Sequence, residues 1–387
     1  MRCLSLFSGA GGLDLGLEAA GFQMAASVEI DPDCCTTLRK NQRWPVLQMD
    51  AARLEIDHVP GGGGIDILAG GPPCQPFSKS GFWTTKGARG LNDPRANTLS
   101  AYIAALRIFR PRAFLLENVE GFRTGGGLDF LTTALEKLRS EGICYALSWR
   151  VINAADYGVP QKRRRFVAIG LRDEKGFEFP LETHGPRRRP YLTAWDACCS
   201  CSPSNEDLSV KGRWADLLPS VPEGHNYLWH TDRGGGLPLF GWRTRYWSFL
   251  NKLNSKGASP TIVASPSQNS GPFHWENRLL STQELARLQT FPMSYEFHGD
   301  RASRQRQIGN AVPPLLAEVL GRAIRASLGI HSKGPLQYAV AQAREAAKVP
   351  PLDAVPAQYR ALAGSHLPHA GTGKGPNPRP AAMQLEG

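Results

Sequence analysis

The 387-residue chain has no uninterrupted apolar run near the ~20 residues that a membrane-spanning helix requires. Its N-terminus opens directly on a strand pattern, so no secretory leader is expected. Its eight cysteines lack framework spacing, and a chain of this length does not depend on disulfide staples. They are expected to be reduced thiols of a cytoplasmic protein. Cys198, Cys199 and Cys201 cluster, but no second ligand pair follows at zinc spacing, so no metal is expected. The G-K-[ST] signature of a nucleoside triphosphate loop is missing. Acidic residues are in short supply, with 34 Asp and Glu against 45 Lys and Arg and a formal charge of +11. The sequence pI of about 9.4 suits a polyanionic partner.

What is present suits two lobes with a sizeable core, since 41% of the residues are hydrophobic. Cys3–Phe7 has the pattern of a buried strand. The tight turn Ser8-Gly9-Ala10-Gly11-Gly12 follows, then helical spacing from Leu13 to Ala20 with Gly21 as the stop. A second strand runs from about Met24 to Val28 and ends at Glu29. This is a βαβ start whose glycines let backbone amides and a helix N-terminus approach a ligand closely. Glu29 stands where a nucleoside-binding fold keeps a carboxylate for ribose hydroxyls. Asp14 occupies the position of the last glycine of G-x-G-x-x-G, so the match is imperfect. A third short strand, about Val46 to Met49, leads to Asp50, either an acceptor for an adenine amino group or a helix N-cap.

The apolar run Ile65 to Ala69 leads into Gly70-Gly71-Pro72-Pro73-Cys74-Gln75-Pro76-Phe77-Ser78. Glycines and prolines make that turn stiff, and it presents one thiol at the end of a central strand, where an α/β protein places a nucleophile. Residues Lys79 to Asn97 are polar and carry Phe82, Trp83, Lys86, Arg89 and Arg95, a composition suited to a lid or binding loop. After a helix from Thr98 to Phe109, the strand Ala113–Leu116 ends in Glu117-Asn118-Val119. In a parallel sheet its acid shares an edge with Cys74, giving a nucleophile and a proton donor. A helix is expected over Leu128–Leu138, and strands over Cys144–Ile152 and Phe166–Leu171. Between the last two lies Pro160-Gln161-Lys162-Arg163-Arg164-Arg165. It leads straight into a buried strand, which points Arg163 and Arg165 toward a site.

Composition changes after about Thr183, where Gly, Pro, Ser and Trp dominate. Trp242-Arg243-Thr244-Arg245-Tyr246-Trp247 interleaves cations with aromatics, as in a lobe that grips nucleic acid. Ser281-Thr282-Gln283-Glu284 is a capping box opening a helix to about Thr290. Gln307 to Pro314 enters a helix through Leu328 with prolines in its first turn. Beyond His331 one short helix, about Leu336 to Ala347, is expected, and the rest has the composition of a disordered or appended tail.

Taken in order, these motifs resemble the DNA cytosine-5 methyltransferases of bacterial restriction–modification systems, over roughly residues 1 to 328. The resemblance implies an α/β fold, a Rossmann-like class I methyltransferase sheet with a smaller, irregular target-recognition domain. Residues 1–183 would form the first part of the catalytic domain and 184–278 the recognition domain. Residues 279–328 would return to the catalytic domain, leaving 329–387 as a partly disordered tail. It implies S-adenosyl-L-methionine as methyl donor, with S-adenosyl-L-homocysteine as product. The donor would be held by Phe7, Ser8, Gly9, Gly11, Gly12, Leu13, Glu29, Ile30, Asp50, Ala51, Pro72, Leu99, Asn310 and Val312. Cys74 would be the nucleophile that adds to cytosine C6, Glu117 would hold N3, Arg165 would contact O2, and Arg163 would steer the thiol or the backbone. Gln75, Ser78, Ser80, Arg243 and Arg245 would contact DNA, with Ser80 filling the place of a flipped base. Double-stranded DNA is the implied partner. A cognate restriction endonuclease acting separately is a further one, and the enzyme is expected to be a monomer.

Two alternatives stay open on sequence. An RNA cytosine-5 methyltransferase would lack a large basic recognition lobe. A catalytically dead DNA-binding relative would have lost Cys74, Glu117 or Arg165.

Overall fold

The computed structural model describes residues 1–73, 97–172, 176–242 and 246–364. Seven strands form one sheet: β1 (Arg2–Leu6), β2 (Gln23–Glu29), β3 (Val46–Gln48), β4 (Ile67–Gly70), β5 (Ala113–Val119), β6 (Tyr145–Asn153) and β7 (Arg164–Arg172). Their order is β3-β2-β1-β4-β5-β7-β6. The first five run parallel, and β7 pairs antiparallel with both β5 and β6. The apolar runs that mark β4 and β5 are buried on both faces, as parallel strands covered by helices must be.

From β1 the chain moves outward through β2 to β3, then returns to place β4 on the other side of β1. The sheet therefore has its switch point between β1 and β4, where α/β proteins open a crevice at the carboxyl ends of their strands. The register aligns those ends: Leu6 lies opposite Val28 and Gly70, and Gly70 opposite Leu116. Phe7, Glu29, Gly71 and Glu117 thus leave the sheet along one edge.

Helices α1 (Gly12–Ala19), α2 (Pro32–Asn41), α3 (Asn97–Phe109) and α4 (Gly127–Ser140) follow strands β1, β2, β4 and β5. The short α5 (Ala194–Cys198) lies in a loop-rich lobe. Then α6 (Thr282–Leu288), α7 (Arg301–Asn310) and α8 (Pro314–Ser327) lead back to the sheet. Sequence reasoning did not anticipate α2 or α7. Asp31 caps α2 by accepting from the Cys34 amide, with Pro32 in its first turn. The polar α7 is capped by Asp300 in the same way.

The lobe has no extended sheet among its described residues. It holds a small core of its own, built from Leu217, Leu218, Tyr227, Leu239, Leu250 and Phe273 and joined by Tyr359 from the C-terminal region. The expected helix over 336–347 does not form. Its first amides turn outward instead, with Gln337 and Tyr338 both donating to the Glu318 carboxylate on α8. Residues 331–364 pack as an extended segment, ending in the one-turn α9 (Ala357–Arg360). Among the described residues no helix is long and apolar enough to cross a membrane.

Candidate active site

The turn after β1 departs from ordinary backbone. Phe7, Gly9 and Gly11 have φ of 55°, 54° and 77°, the left-handed region in which glycine is least strained. A Cβ on Gly9 would meet nothing within 4 Å, so the loop faces open space there. The Gly9 amide donates to Glu29 Oε2 at 2.7 Å, and the Ile30 and Asp31 amides donate to Oε1, each at 2.8 Å. Three backbone donors therefore fix the Glu29 carboxylate against the loop.

Beneath the turn lies a group that sequence reasoning had treated only as a departure. Asp14 is fully buried, with Ser5 Oγ donating to Oδ1 at 2.5 Å and Ser27 Oγ to Oδ2 at 2.6 Å. Ser8 Oγ donates to Ser5 Oγ at 3.0 Å, and Trp44 Nε1 to Ser27 Oγ at 2.8 Å. Burial pushes the Asp14 carboxyl up to about 6, against the opposing pull of the serine hydroxyls. The serines at 5, 8 and 27 were the available signal. A polar residue recurring on buried strands needs a partner.

The far side of the turn is closed from the other end of the chain. A Cβ on Gly12 would lie 2.2 Å from the Val312 carbonyl, and one on Gly16 2.4 Å from Ala317 Cβ, so α1 and α8 are in backbone-close contact. Tyr295 donates its hydroxyl to the Ala10 carbonyl at 2.6 Å. Leu13 and Val312 are buried, whereas Asn310 at the end of α7 is exposed. Ala51 and Leu99 share an apolar cluster against which Phe7 and Met49 pack. Ile30 is 63% exposed. Asp50 caps the turn 51–53 by accepting from the Ala52 amide at 3.0 Å, the structural role left open for it.

On β5, Glu117 is buried and its Oε1 lies 3.0 Å from Arg165 Nε on the neighbouring β7. Burial raises the Glu117 carboxyl above its usual range, while Arg165 and Arg163 pull it back. Asn118 Nδ2 donates to the Pro72 carbonyl at 3.0 Å. A Cβ on Gly71 would sit 3.2 Å from Glu117 Oε2. The acid is thus fixed against the stem of the loop that leads to Cys74. Cys74 itself, Gln75, Ser78, Ser80, the rest of 74–96, Arg243 and Arg245 lie outside the described residues.

The three consecutive arginines separate by function. Arg165 faces Glu117 and lines a cleft of ≈ 500 Å³ with Glu120, Asn153, Lys162 and Thr261. Arg164 forms a surface pair with Glu120. Arg163 is fully buried, and its Nη2 donates to the carbonyls of Gly309 and Ala311, each at 2.9 Å. These two bonds brace the segment that carries Val312, and the two motifs are one structural unit. Gln161 ties the lobe to α6, accepting from the Ile262 amide and donating to the Leu288 carbonyl, each at 3.3 Å.

In the lobe, the Arg233 guanidinium lies 3.9 Å over the Trp242 ring, and Tyr246 and Trp247 are exposed. Cys198, Cys199 and Cys201 end α5 and its following turn. Among the described residues no three His, Cys, Asp or Glu side chains are grouped to hold a metal.

Residues 1–326 match the family model described as C-5 cytosine-specific DNA methylase. The chain is 37% identical over 371 residues to the type II methyltransferase M.SacI of Streptomyces achromogenes, covering 86% of this chain and 94% of that protein. It is 32% identical over 338 residues to M1.HphI of Haemophilus parahaemolyticus, covering 83% and 86%. A crystal structure of a candidate DNA modification methyltransferase encoded within an E. coli prophage superposes with a TM-score of 0.62 at 25% identity, over 85% of this chain and all of that one. The methyltransferase EhMeth of Entamoeba histolytica, at 16% identity and a TM-score of 0.61, covers 85% of this chain and 98% of its own and shares the fold.

Proposed function

The chain belongs to the C-5 cytosine-specific DNA methylase family and is a DNA cytosine-5 methyltransferase of the bacterial restriction–modification kind; on that premise we propose how its residues perform the reaction. The observation that carries the proposal is Glu117, a buried carboxyl raised by desolvation, set against Arg165 and tied through Asn118 to the stem of the cysteine loop.

The donor pocket is the turn from Phe7 to Leu13 with Glu29. The open face at Gly9 and the three amides that orient Glu29 fit a nucleoside whose ribose hydroxyls donate to that carboxylate. Ala51 and Leu99 offer an apolar wall for its base, and Val312 closes the far side. Bound there, S-adenosyl-L-methionine supplies a methyl group made electrophilic by its sulfonium. Ile30, Pro72 and Asn310 are assigned to the pocket rim.

Cytosine C5 is a weak nucleophile within an aromatic ring. The Cys74 thiolate adds to C6, forming an S–C6 bond and moving the C5=C6 electron pair to C5. Glu117 gives or shares a proton at N3, so that negative charge does not accumulate on the ring. A carboxyl raised by burial holds that proton more readily at neutral pH, and the Arg165 charge beside it suits O2 of the same ring. The electron pair at C5 then takes the methyl group, whose bond to sulfur breaks with its electrons left on sulfur, giving S-adenosyl-L-homocysteine as product. Loss of the C5 proton to a base returns an electron pair that re-forms the double bond and expels Cys74. Cationic neighbours favour the thiolate.

None of these atoms is reachable inside a duplex, so the cytosine is flipped out at a cost of a few kcal/mol. The basic lobe of residues 184–278, with Arg243 and Arg245, offsets that cost through phosphate and base contacts. Gln75, Ser78 and Ser80 act from the cysteine loop. A separate endonuclease would read the same site, and the methyltransferase would act as a monomer in the cytoplasm.

Methyl transfer from labelled donor to duplex DNA and to transfer RNA, with Cys74→Ser as control, tests the reading. DNA labelling lost in Cys74→Ser is the expected result. Labelling that survives the substitution, or bisulfite sequencing with no methylated cytosine, sinks it.

A further inference from the structure

The family match ends at residue 326, yet Tyr359 is 5% exposed and sits in the core of the lobe. Residues 329–364 reach it through three sets of contacts. The first is on the sheet side. Arg322 donates to the carbonyls of Gly334 and Pro335. The buried Glu318 accepts from the Gln337 and Tyr338 amides at 3.0 and 3.1 Å. Ser332 Oγ donates to the carbonyl of Ala20, just past α1.

The second set is at α5, where the lobe begins. The Ala343 amide donates to Asp196 Oδ1 at 2.7 Å, and Trp195 Nε1 donates to the Glu345 carbonyl at 2.6 Å. Trp195 in turn packs edge-on against buried Trp275, 5.9 Å between ring centroids.

The third set is within the lobe. The Asp353 amide donates to the Pro219 carbonyl at 3.2 Å, and the Tyr359 hydroxyl to the Arg213 carbonyl at 2.7 Å. The Tyr359 ring stacks on Trp214, 5.4 Å between centroids and 24° from parallel. Trp214 also meets Phe240 and Phe249 edge-on, so Tyr359 extends a four-ring aromatic cluster. Val355 and Leu362 pack beside it. Between the second and third sets the run 348–352 is exposed.

We propose that residues 329–364 are a clamp that fixes the lobe to the catalytic sheet, with Tyr359 as the positioning residue that completes the lobe core. Among its described residues the lobe of 184–278 has only isolated β-bridges, so much of its shape depends on side-chain packing, and a donated aromatic of this kind sets where the lobe stands relative to the catalytic sheet. The contacts of Tyr359 described above are with the lobe, not with the turn after β1 or with Glu117. Its effect is therefore on productive DNA binding. The DNA readout rests on the proposed function; the fragment readout below does not.

The test uses the full chain with Tyr359→Ala, Tyr359→Phe and a protease recognition sequence inserted after Lys348. Tyr359→Ala is expected to raise KM for duplex DNA about tenfold, equivalent to about 1.4 kcal/mol. Its kcat should stay within about threefold and donor binding by calorimetry should not change. Tyr359→Phe keeps the stacking and recovers most of the loss. Cutting after Lys348 leaves the C-terminal piece bound during gel filtration when Tyr359 is present and frees it in Tyr359→Ala. A KM for DNA within twofold of wild type in Tyr359→Ala overturns the proposal, as does release of the wild-type piece. If Tyr359→Ala fails to bind donor and is misfolded, retention of the wild-type piece decides the matter. An uncut protein that methylates no DNA refutes the proposed function, while retention of the piece still tests the clamp.

Discussion

The side-chain amide of Asn118 donates to the backbone carbonyl of Pro72 at 3.0 Å. One residue of the Glu117-Asn118-Val119 segment thereby holds the stem of the loop that leads to Cys74, two positions before it. Asn118→Ala leaves a buried carbonyl without its donor, at about 1–3 kcal/mol. Much of that cost falls on loop placement. The expected outcome is a kcat lowered at least tenfold with donor affinity unchanged, checked by single-turnover methylation alongside calorimetry.

Arg165 is the counter-charge at 3.0 Å from Glu117 and opposes the rise caused by burial. Without it the carboxyl rises further. Arg165→Gln is expected to lower kcat by roughly a hundredfold, on the scale of a lost electrostatic stabiliser. Residual activity should extend to higher pH than in wild type, because Glu117 keeps its proton longer. Arg165→Lys should restore little, since a point charge does not reproduce the guanidinium fork. A pH–rate profile in which the alkaline limb does not move argues against this coupling.

Asp14 titrates near 6 in the folded protein against a reference value of 3.8. The folded state therefore holds a proton that the unfolded chain has released between those values. Stability from this group is present at low pH and falls as pH rises from about 4 to 6, then stays level. About two units correspond to roughly 3 kcal/mol at most. Asp14→Asn should flatten that part of the Tm-versus-pH curve relative to wild type. Parallel curves for the two proteins would contradict the assignment.

Gly12→Ala puts a methyl group 2.2 Å from the backbone carbonyl of Val312. Neither partner is a flexible side chain, so α1 and α8 must separate. Overpacking of this kind costs about 1–3 kcal/mol. A lower Tm together with weaker donor binding is expected. Gly9→Ala faces open space but has a left-handed φ of 54°, so it should cost mainly backbone strain.

If the basic lobe neutralises several phosphates, log affinity for DNA falls linearly with log salt, by about 0.9 per phosphate contacted. Arg243→Ala and Arg245→Ala should each reduce the slope by about one. A salt-independent affinity would remove phosphate contacts as the source of binding.

The sheet was legible because its strands are short apolar runs with distinct ends: the acids Glu29 and Glu117, and the Gly71–Pro72 turn. Period and punctuation suffice for such elements. They do not suffice for α7, whose sequence Arg301–Asn310 has one apolar side chain, Ile308, that is buried in the core. Its helicity comes from the Asp300 cap and from packing between distant segments. Arg163 was assigned to the site by its position among cations, but the carbonyls it meets are those of Gly309 and Ala311, which only the folded chain brings near. The packing of residues 331–364 was not legible for a similar reason. Their Ala, Pro and Gly content suggests disorder, whereas scattered residues such as Tyr338 and Tyr359 are buried by surfaces that no local window contains.

The Gly12–Val312 contact also has a consequence in time. The two residues are 300 positions apart (312 − 12), and translation proceeds at about 5–20 residues per second. The turn at Gly12 therefore leaves the ribosome roughly 15–60 s before the backbone that closes it. A nascent chain truncated before Val312 would carry Cys74 and Glu117 yet lack the backbone that closes the turn at Gly12. On the proposed function, competence for methylation thus arrives late and all at once, and chains that stop short of Val312 are expected to occupy DNA poorly and leave it unmodified.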